Sequence, residues 1–254
     1  MSKETDNSVN ALDESTRRYY LDAMGVQCWQ LRDNKKQQAA QNALSVEDNA
    51  VVAKLDGKAA DRHVAGSLAS DWPQLEASVQ QCSKCQLHDG RKQAIMGRGN
   101  LSAQLMFVLL APDSFDDNAG LICSGEADDL LRKMLSAINV SINEVYITSL
   151  LKCCVPANHT VTPQQIEHCK NHLTQQVQLV QPERLVILGE SAVRCLLQKN
   201  MSLDDYRAMN AQADFQIDSL PVFASYSPRE LLLQHENKRK AWSDLQQLQQ
   251  IINS

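Results

Sequence analysis

The sequence predicts an α/β protein with a three-layer α/β/α architecture, in which helices cover both faces of a central, mostly parallel, four-stranded sheet. Four short apolar runs recur after position 104, and segments with helical periodicity separate them. Alternation of this kind is typical of parallel strands that are joined by crossover helices. The chain has 254 residues, of which 43% are hydrophobic, and this is enough to form such a core.

Each predicted element has a local signal. The strands are the apolar runs at 105–110, 145–151, 184–189 and 221–226. The helices occupy 126–138, 163–180, 190–198 and 228–252. Thr162 followed by Pro163 is a strong helix start, because threonine caps free N–H groups and proline fits the first turn. Asp71 and Pro73 predict a similar start for a folded domain that covers residues 71–254.

The first 70 residues differ from the rest in composition. Residues 1–32 include an amphipathic stretch that predicts a partner-binding peptide, since a helix with an apolar face and a tryptophan suits a groove. Its candidate contact residues are Arg18, Tyr20, Leu21, Met24, Val26, Trp29 and Leu31. Residues 33–70 lack a sustained apolar period and predict a flexible linker. The alternative is that the peptide folds back onto its own domain.

Charge and hydropathy narrow the function classes. A membrane-spanning helix needs about 20 apolar residues, and neither such a run nor a signal-peptide pattern occurs in the sequence. We therefore expect a cytoplasmic protein without membrane contact. The net charge of −5 provides no general attraction to a polyanion, which predicts that any DNA contact is indirect or weak.

Four of the eight cysteines have the spacing of metal ligands. Cys82 and Cys85 form a C-x-x-C motif, Cys153 follows a predicted strand, and Cys169 lies on the next helix. Thiolates are soft ligands that suit zinc or iron–sulfur clusters. The spacing leaves zinc, a cluster and free thiols open, and Cys154 is an alternative to Cys153.

The full arrangement, CSKCQL followed by KCCVPANHTVTPQQIEHC, resembles the cluster-binding motif of the family-four uracil-DNA glycosylases. In that family four cysteines hold a 4Fe-4S cluster. The resemblance implies that Cys82, Cys85, Cys153 and Cys169 are the ligands, with zinc as the alternative metal. It extends to about Leu248 and also implies the glycosylase fold.

The same resemblance breaks at four positions that serve base excision in the family. Leu110 replaces the glutamate of the G-E-x-P-G turn, and Cys123 replaces the stacking phenylalanine. Ser149 replaces the asparagine that ends the second strand, and Ser227 replaces the histidine of the H-P-S loop. Excision requires a stacked, flipped base and a donor for the departing base. These changes predict a degenerate active site without catalytic residues.

The N-terminal peptide carries a second resemblance. The pattern R-x-x-L-x-x-M-G-V-x-x-W-x-L-R at 18–32 is similar to the start of the psi subunit of bacterial DNA polymerase III, which also has a silent glycosylase-like fold. This implies binding to the clamp-loader collar and to the chi subunit, which contacts single-stranded-DNA-binding protein. The sequence thus predicts a non-catalytic replication adaptor.

Two alternatives remain open at the level of the sequence. The first is an iron–sulfur uracil-DNA glycosylase acting in base excision repair, in which Asp113, Asp116 or Asp117 supplies the lost carboxylate. The second is a binding module whose fold responds to the redox state of the cluster.

Overall fold

The computed structural model describes residues 65–156, 158–197, 201–209, 216–217 and 219–253. The predicted partner-binding peptide at 1–32, with Arg18, Trp29 and its other contact residues, lies outside the described residues, as does most of the predicted linker. The role of that peptide and the domain boundaries stay predictions.

The described chain alternates helices and strands. The helices are α1 (Ala65–Gln80), α2 (Leu87–Gly90), α3 (Ser114–Ala119), α4 (Glu126–Ser136), α5 (Pro163–Val180), α6 (Glu190–Leu197), α7 (Leu203–Met209), α8 (Pro228–Leu233) and α9 (Lys238–Ile252), with a 3-10 turn at His235–Asn237. The strands are β1 (Arg98–Gly99), β2 (Leu105–Leu109), β3 (Tyr146–Ser149), β4 (Arg184–Leu188), β5 (Gln216–Ile217) and β6 (Leu220–Ser225). Among the described helices, none is long and apolar enough to cross a bilayer.

The six strands form one sheet in the order β1-β3-β2-β4-β6-β5. The inner strands β3, β2, β4 and β6 are parallel, and Phe107 at the centre pairs with Ile147 on one side and Val186 on the other. The edge strands β1 and β5 pair antiparallel with their neighbours. The prediction of a three-layer α/β fold with four parallel strands is confirmed, and two short edge strands extend that sheet.

The inner strands are buried on both faces. Every side chain of β2 and β3 is buried, which requires covering layers on both sides of the sheet. The helices provide these layers, and α5 begins as its sequence predicts, with the Thr162 side chain accepting a hydrogen bond from Gln165 N and Pro163 in the first turn.

The structure differs from the sequence prediction at two helices. The first helix begins at Ala65, so Pro73 lies inside it and Asp71 does not cap it. Alanine and leucine upstream are good helix formers and extend the helix beyond the expected start. The predicted helix at 228–252 is two helices, because the backbone of Gln234 (φ −124°, ψ 81°) leaves the helical region.

A buried ion pair holds the end of β6 in place. Asp244 of α9 is 1% exposed and accepts two hydrogen bonds of 2.7 Å from Arg207 of α7. The hydroxyl of Ser225, the last residue of β6, donates to the same carboxylate at 2.6 Å. These bonds position the loop after β6, which carries part of the site described next.

Candidate active site and four-cysteine cavity

A cavity of about 140 Å³ opens where three parallel strands end. Its wall includes Leu109 at the end of β2, Leu188 at the end of β4, and Ser227 just after β6. These strands are neighbours in the sheet, so their carboxyl ends lie side by side. Ligands of open α/β sheets bind at this edge, and we therefore take this sheet-edge cavity as the candidate active site.

Three of the four degenerate positions line the sheet-edge cavity, namely Leu110, Cys123 and Ser227. Ser149 is fully buried, does not line the cavity, and donates a hydrogen bond of 2.7 Å to the Leu151 carbonyl. The prediction that these changes silence the site is not tested by the geometry and stays a prediction.

Three aspartates could supply the carboxylate that the motif loses at Leu110, and they have different surroundings. Asp113 and Asp116 line the sheet-edge cavity, whereas Asp117 does not. Both carboxylate oxygens of Asp117 accept from the backbone N–H of Lys92, at 3.0 and 3.1 Å. Asp117 therefore fastens the loop before β1 and is not a candidate for chemistry in the cavity.

Asp116 is a buried and oriented carboxylate. Asp116 is 3% exposed. Its Oδ1 accepts from the N–H and the hydroxyl of Ser124, at 2.7 and 2.8 Å. Its Oδ2 accepts from Asp113 N at 3.3 Å as half of a capping box, in which Asp113 Oδ1 accepts from Asp116 N. The start of α3 thus holds both acidic side chains at the cavity.

Arg229 joins two segments of the chain across the cavity. It follows β6, and its guanidinium lies 2.6 Å from Asp113 Oδ2 and 3.9 Å from Asp116 Oδ1, both on the segment after β2. The same group contacts the Ser124 carbonyl at 3.5 Å. Arg229 carries no predicted role from the sequence, although an arginine just after a predicted strand is a usable signal.

Cys123 forms an uncharged part of the cavity wall. Burial raises the pKa of its thiol to about 12, and the nearby Asp116 carboxylate adds to the rise. The thiol therefore stays protonated near neutral pH and does not act as a thiolate nucleophile. Its backbone has φ 55°, in the left-handed region that few side chains adopt.

The four predicted cysteine ligands line a second cavity, which we call the four-cysteine cavity: Cys82, Cys85, Cys153 and Cys169. The first two lie beyond α1, the third follows β3 and the fourth lies on α5. Cys154 does not line the cavity, which favours its neighbour as the ligand.

Basic groups surround this cavity. Arg91 donates a hydrogen bond of 2.8 Å to Cys153 Sγ and also donates to the carbonyls of Gln80 and Cys82, at 2.8 and 3.0 Å. Burial raises the pKa of Cys153, and the hydrogen bond from Arg91 opposes that rise. Within the described part of the chain, no three His, Cys, Asp or Glu side chains are arranged to hold a single metal ion as they stand.

Comparison with known proteins identifies the family. The model of the uracil DNA glycosylase superfamily matches residues 96–246, which is more than half of the chain. The chain belongs to the uracil-DNA glycosylase superfamily. This confirms the resemblance that the cysteine motif and the strand pattern indicate.

Several curated relatives are type-4 uracil-DNA glycosylases. That of Pyrobaculum aerophilum is 34% identical over 128 residues, covering 50% of this chain and 65% of the relative. That of Archaeoglobus fulgidus is 36% identical over 116 residues, covering 46% and 58%. That of Saccharolobus solfataricus is 28% identical over 181 residues, covering 69% and 84%. The chain thus spans less than two thirds of the length of the first two.

These relatives correct the predicted function. The adaptor resembling the psi subunit, with the clamp-loader collar and the chi subunit as partners, is wrong, because the matching proteins are named as DNA glycosylases. The expectation of indirect or weak DNA contact is wrong for the same reason. The psi resemblance depended on a short amphipathic segment at 18–32, and such segments bind many kinds of partner.

Proposed function

We propose that this protein is a uracil-DNA glycosylase of the family-four type, a hydrolase that cleaves the bond between a base and its deoxyribose. The observation that carries the proposal is the sheet-edge cavity, where a buried carboxylate and a guanidinium lie together in a member of this superfamily. Asp116 provides the carboxylate and Arg229 provides the guanidinium. The names of the relatives support uracil as the first base to test.

The reaction defines what the cavity must supply. The glycosidic bond breaks, the oxygen of a water molecule bonds to the sugar carbon C1′, and the base leaves as an anion that takes up a proton. A carboxylate can accept the proton of the attacking water. A positive group that faces the departing base stabilises its charge. The base must first be flipped out of the DNA stack to reach a pocket.

Asp116 suits the first of these roles. It is buried at the cavity, and the bonds from Ser124 and Asp113 N hold its two oxygens in fixed directions. A fixed carboxylate positions water without reorganising during the reaction. We assign to it the role of the glutamate that Leu110 replaces in the family motif.

Arg229 suits the second role. It lies in the first turn of α8, two residues after Ser227, the position where the family motif has a histidine. Its guanidinium is always charged and lines the cavity. We assign to it the stabilisation of the departing base, with Asp113 holding it in place at 2.6 Å.

We also propose that the four-cysteine cavity holds a 4Fe-4S cluster, with zinc as the alternative. The donor set fits, because four thiols from three separate segments line one cavity and clusters of this type take four cysteine ligands. Hydrogen bonds to sulfur tune such clusters, and Arg91 makes one to Cys153. A bound cluster would supply a covalent link between those segments and a redox-active centre.

A single-turnover assay tests the hydrolase proposal. Pure protein is mixed in excess with single- and double-stranded oligonucleotides that carry one uracil, and abasic sites are measured by alkaline cleavage. We expect abasic sites above background with wild type, and a fall of roughly 100-fold with Asp116→Asn, the scale of general acid–base catalysis. Asp129→Asn is the matched control, because Asp129 is exposed on α4. If wild-type protein forms no abasic sites on either oligonucleotide, the proposal is refuted and a silent site is supported.

A further inference from the structure

An unusually exposed aromatic residue lies beside the sheet-edge cavity. Phe115 of α3 is 66% exposed, and of the described large hydrophobic residues only Leu233 is more exposed, at 79%. Leaving a phenylalanine in water forgoes the favourable burial that such a side chain normally gains. A ring in this position, next to a candidate active site, is a candidate contact for a ligand.

The position of Phe115 relative to the cavity is well defined. Asp113, two residues earlier, lines the cavity and accepts a hydrogen bond of 2.8 Å from Phe115 N. The guanidinium carbon of Arg229, which also lines the cavity, lies 5.2 Å from the centre of the Phe115 ring. The ring therefore lies next to the cavity wall, against the group that we assign to the departing base.

Among the described residues that line the cavity, none is aromatic. Its wall has Cys123 where the family motif has the stacking phenylalanine, and the other apolar lining residues are leucines and alanines. A nucleotide that enters such a cavity has π-faces that favour stacking on an aromatic ring or on an arginine plane. Phe115 and Arg229 supply both of these groups, with the guanidinium lying over the ring.

We propose that Phe115, stacked against Arg229, is the platform on which a DNA base packs at the mouth of the sheet-edge cavity. This inference rests on the proposed function and adds a substrate contact that the four-position motif does not contain. The platform replaces, from the segment after β2, the stacking surface that Cys123 does not provide. Phe115 is thus a residue that positions DNA, and it takes no part in proton transfer.

Binding of DNA tests the platform without requiring excision. The full chain is titrated against a fluorescein-labelled single-stranded oligonucleotide that carries one uracil, and anisotropy is measured. We expect Phe115→Ala to raise Kd by roughly 5- to 100-fold, the range of stacking on one aromatic side chain. Phe115→Tyr should restore Kd to within about threefold of wild type, because a tyrosine ring also stacks. Leu233→Ala is the matched control and should bind like wild type.

A second readout reports the contact directly. In Phe115→Trp the indole should stack on the base and lose fluorescence when the oligonucleotide binds, whereas Leu233→Trp should not respond. The exposure of Phe115 leaves little packing to lose, and circular dichroism of each variant checks the fold.

The outcomes separate the platform from the hydrolase proposal. Equal Kd values for wild type and Phe115→Ala would overturn the platform, and excision by both proteins would leave the hydrolase intact. A higher Kd for Phe115→Ala, together with no excision by wild type, would support the contact between Phe115 and DNA and refute the hydrolase proposal.

Discussion

The two cavities of this protein differ in how far they keep the residues of the family motif. The four-cysteine cavity is lined by all four cysteines of the motif. The sheet-edge cavity has Leu110, Cys123 and Ser227 where the motif has residues that serve excision. One cavity thus keeps the residues of the family motif, whereas the other has lost three of them.

The physical demands on the two cavities explain this difference. The four thiols come from segments that are far apart in the chain, and a bound cluster would link them, so the loss of one ligand affects the whole arrangement. The three positions of the sheet-edge cavity that differ from the motif, in contrast, lie outside the helices and strands, where changes are tolerated more readily. With a cluster bound, loss of a cysteine should therefore disturb the fold more than a change at one of those three positions.

The largest effect is expected from loss of a cysteine ligand. Cys169→Ala should abolish stoichiometric iron binding and lower the free energy of unfolding by at least about 4 kcal/mol, the scale associated with losing a metal site. Iron content and visible absorbance, with urea unfolding under anaerobic conditions, measure both effects.

Cys195→Ala is the control for that variant. Cys195 is half-buried on α6 and lines neither cavity, so its loss should leave iron content unchanged. Full iron in Cys169→Ala, or zinc in place of iron in wild type, would contradict the cluster assignment and weaken the contrast between the cavities.

The sequence predicts the parallel part of the fold closely, and the reason is burial. Strands β2 and β4 lie in the middle of the sheet, and their continuous apolar runs mark them within a residue of their observed ends. The edge strands β1 and β5 are two residues long and leave no readable pattern. Helix α3 lies in a polar stretch that the sequence analysis did not assign, although its capping box at Asp113 and Asp116 was a local signal.

The candidate site was predictable only in part. The C-x-x-C motif marks one pair of cysteines locally, and the resemblance to the family motif added Cys153 and Cys169 to it. The contact of Arg229 with Asp113 depends on β2 and β6 lying on either side of β4. That strand order is a property of the whole sheet, so no local pattern near either residue predicts their contact.

A smaller effect on stability and a clear effect on chemistry are expected at the sheet-edge cavity. Arg229→Gln should lower single-turnover excision by roughly 100- to 1000-fold, the range seen when a group that stabilises a developing anion is removed. Its ion pair with Asp113 is partly exposed, so the free energy of unfolding should change by about 1 kcal/mol or less. Iron content should stay at the wild-type level.

The control for that variant is Arg194→Gln. Arg194 is exposed on α6 and pairs with Glu190 at 2.6 Å, and it lines neither cavity. Excision at the wild-type rate by Arg229→Gln would remove Arg229 from the mechanism. Loss of iron in that variant would show that the two cavities depend on each other.

The smallest effect is expected from removing the thiol at the cavity wall. Burial raises the pKa of Cys123 to about 12, so the thiol of wild type is neutral at any assay pH between about 6 and 9. The methyl group of Cys123→Ala is neutral as well. Cys123→Ala should therefore leave the shape of the pH–rate profile unchanged and cost about 1 kcal/mol of stability through lost packing. Single-turnover rates of the two proteins across that pH range provide the measurement.

If the profile of wild type has a step that Cys123→Ala lacks, the thiol ionises in this range and Asp116 does not suppress its ionisation. The sheet-edge cavity would then carry a thiolate, as the four-cysteine cavity would with a bound cluster, and the two cavities would differ only in the number of such groups.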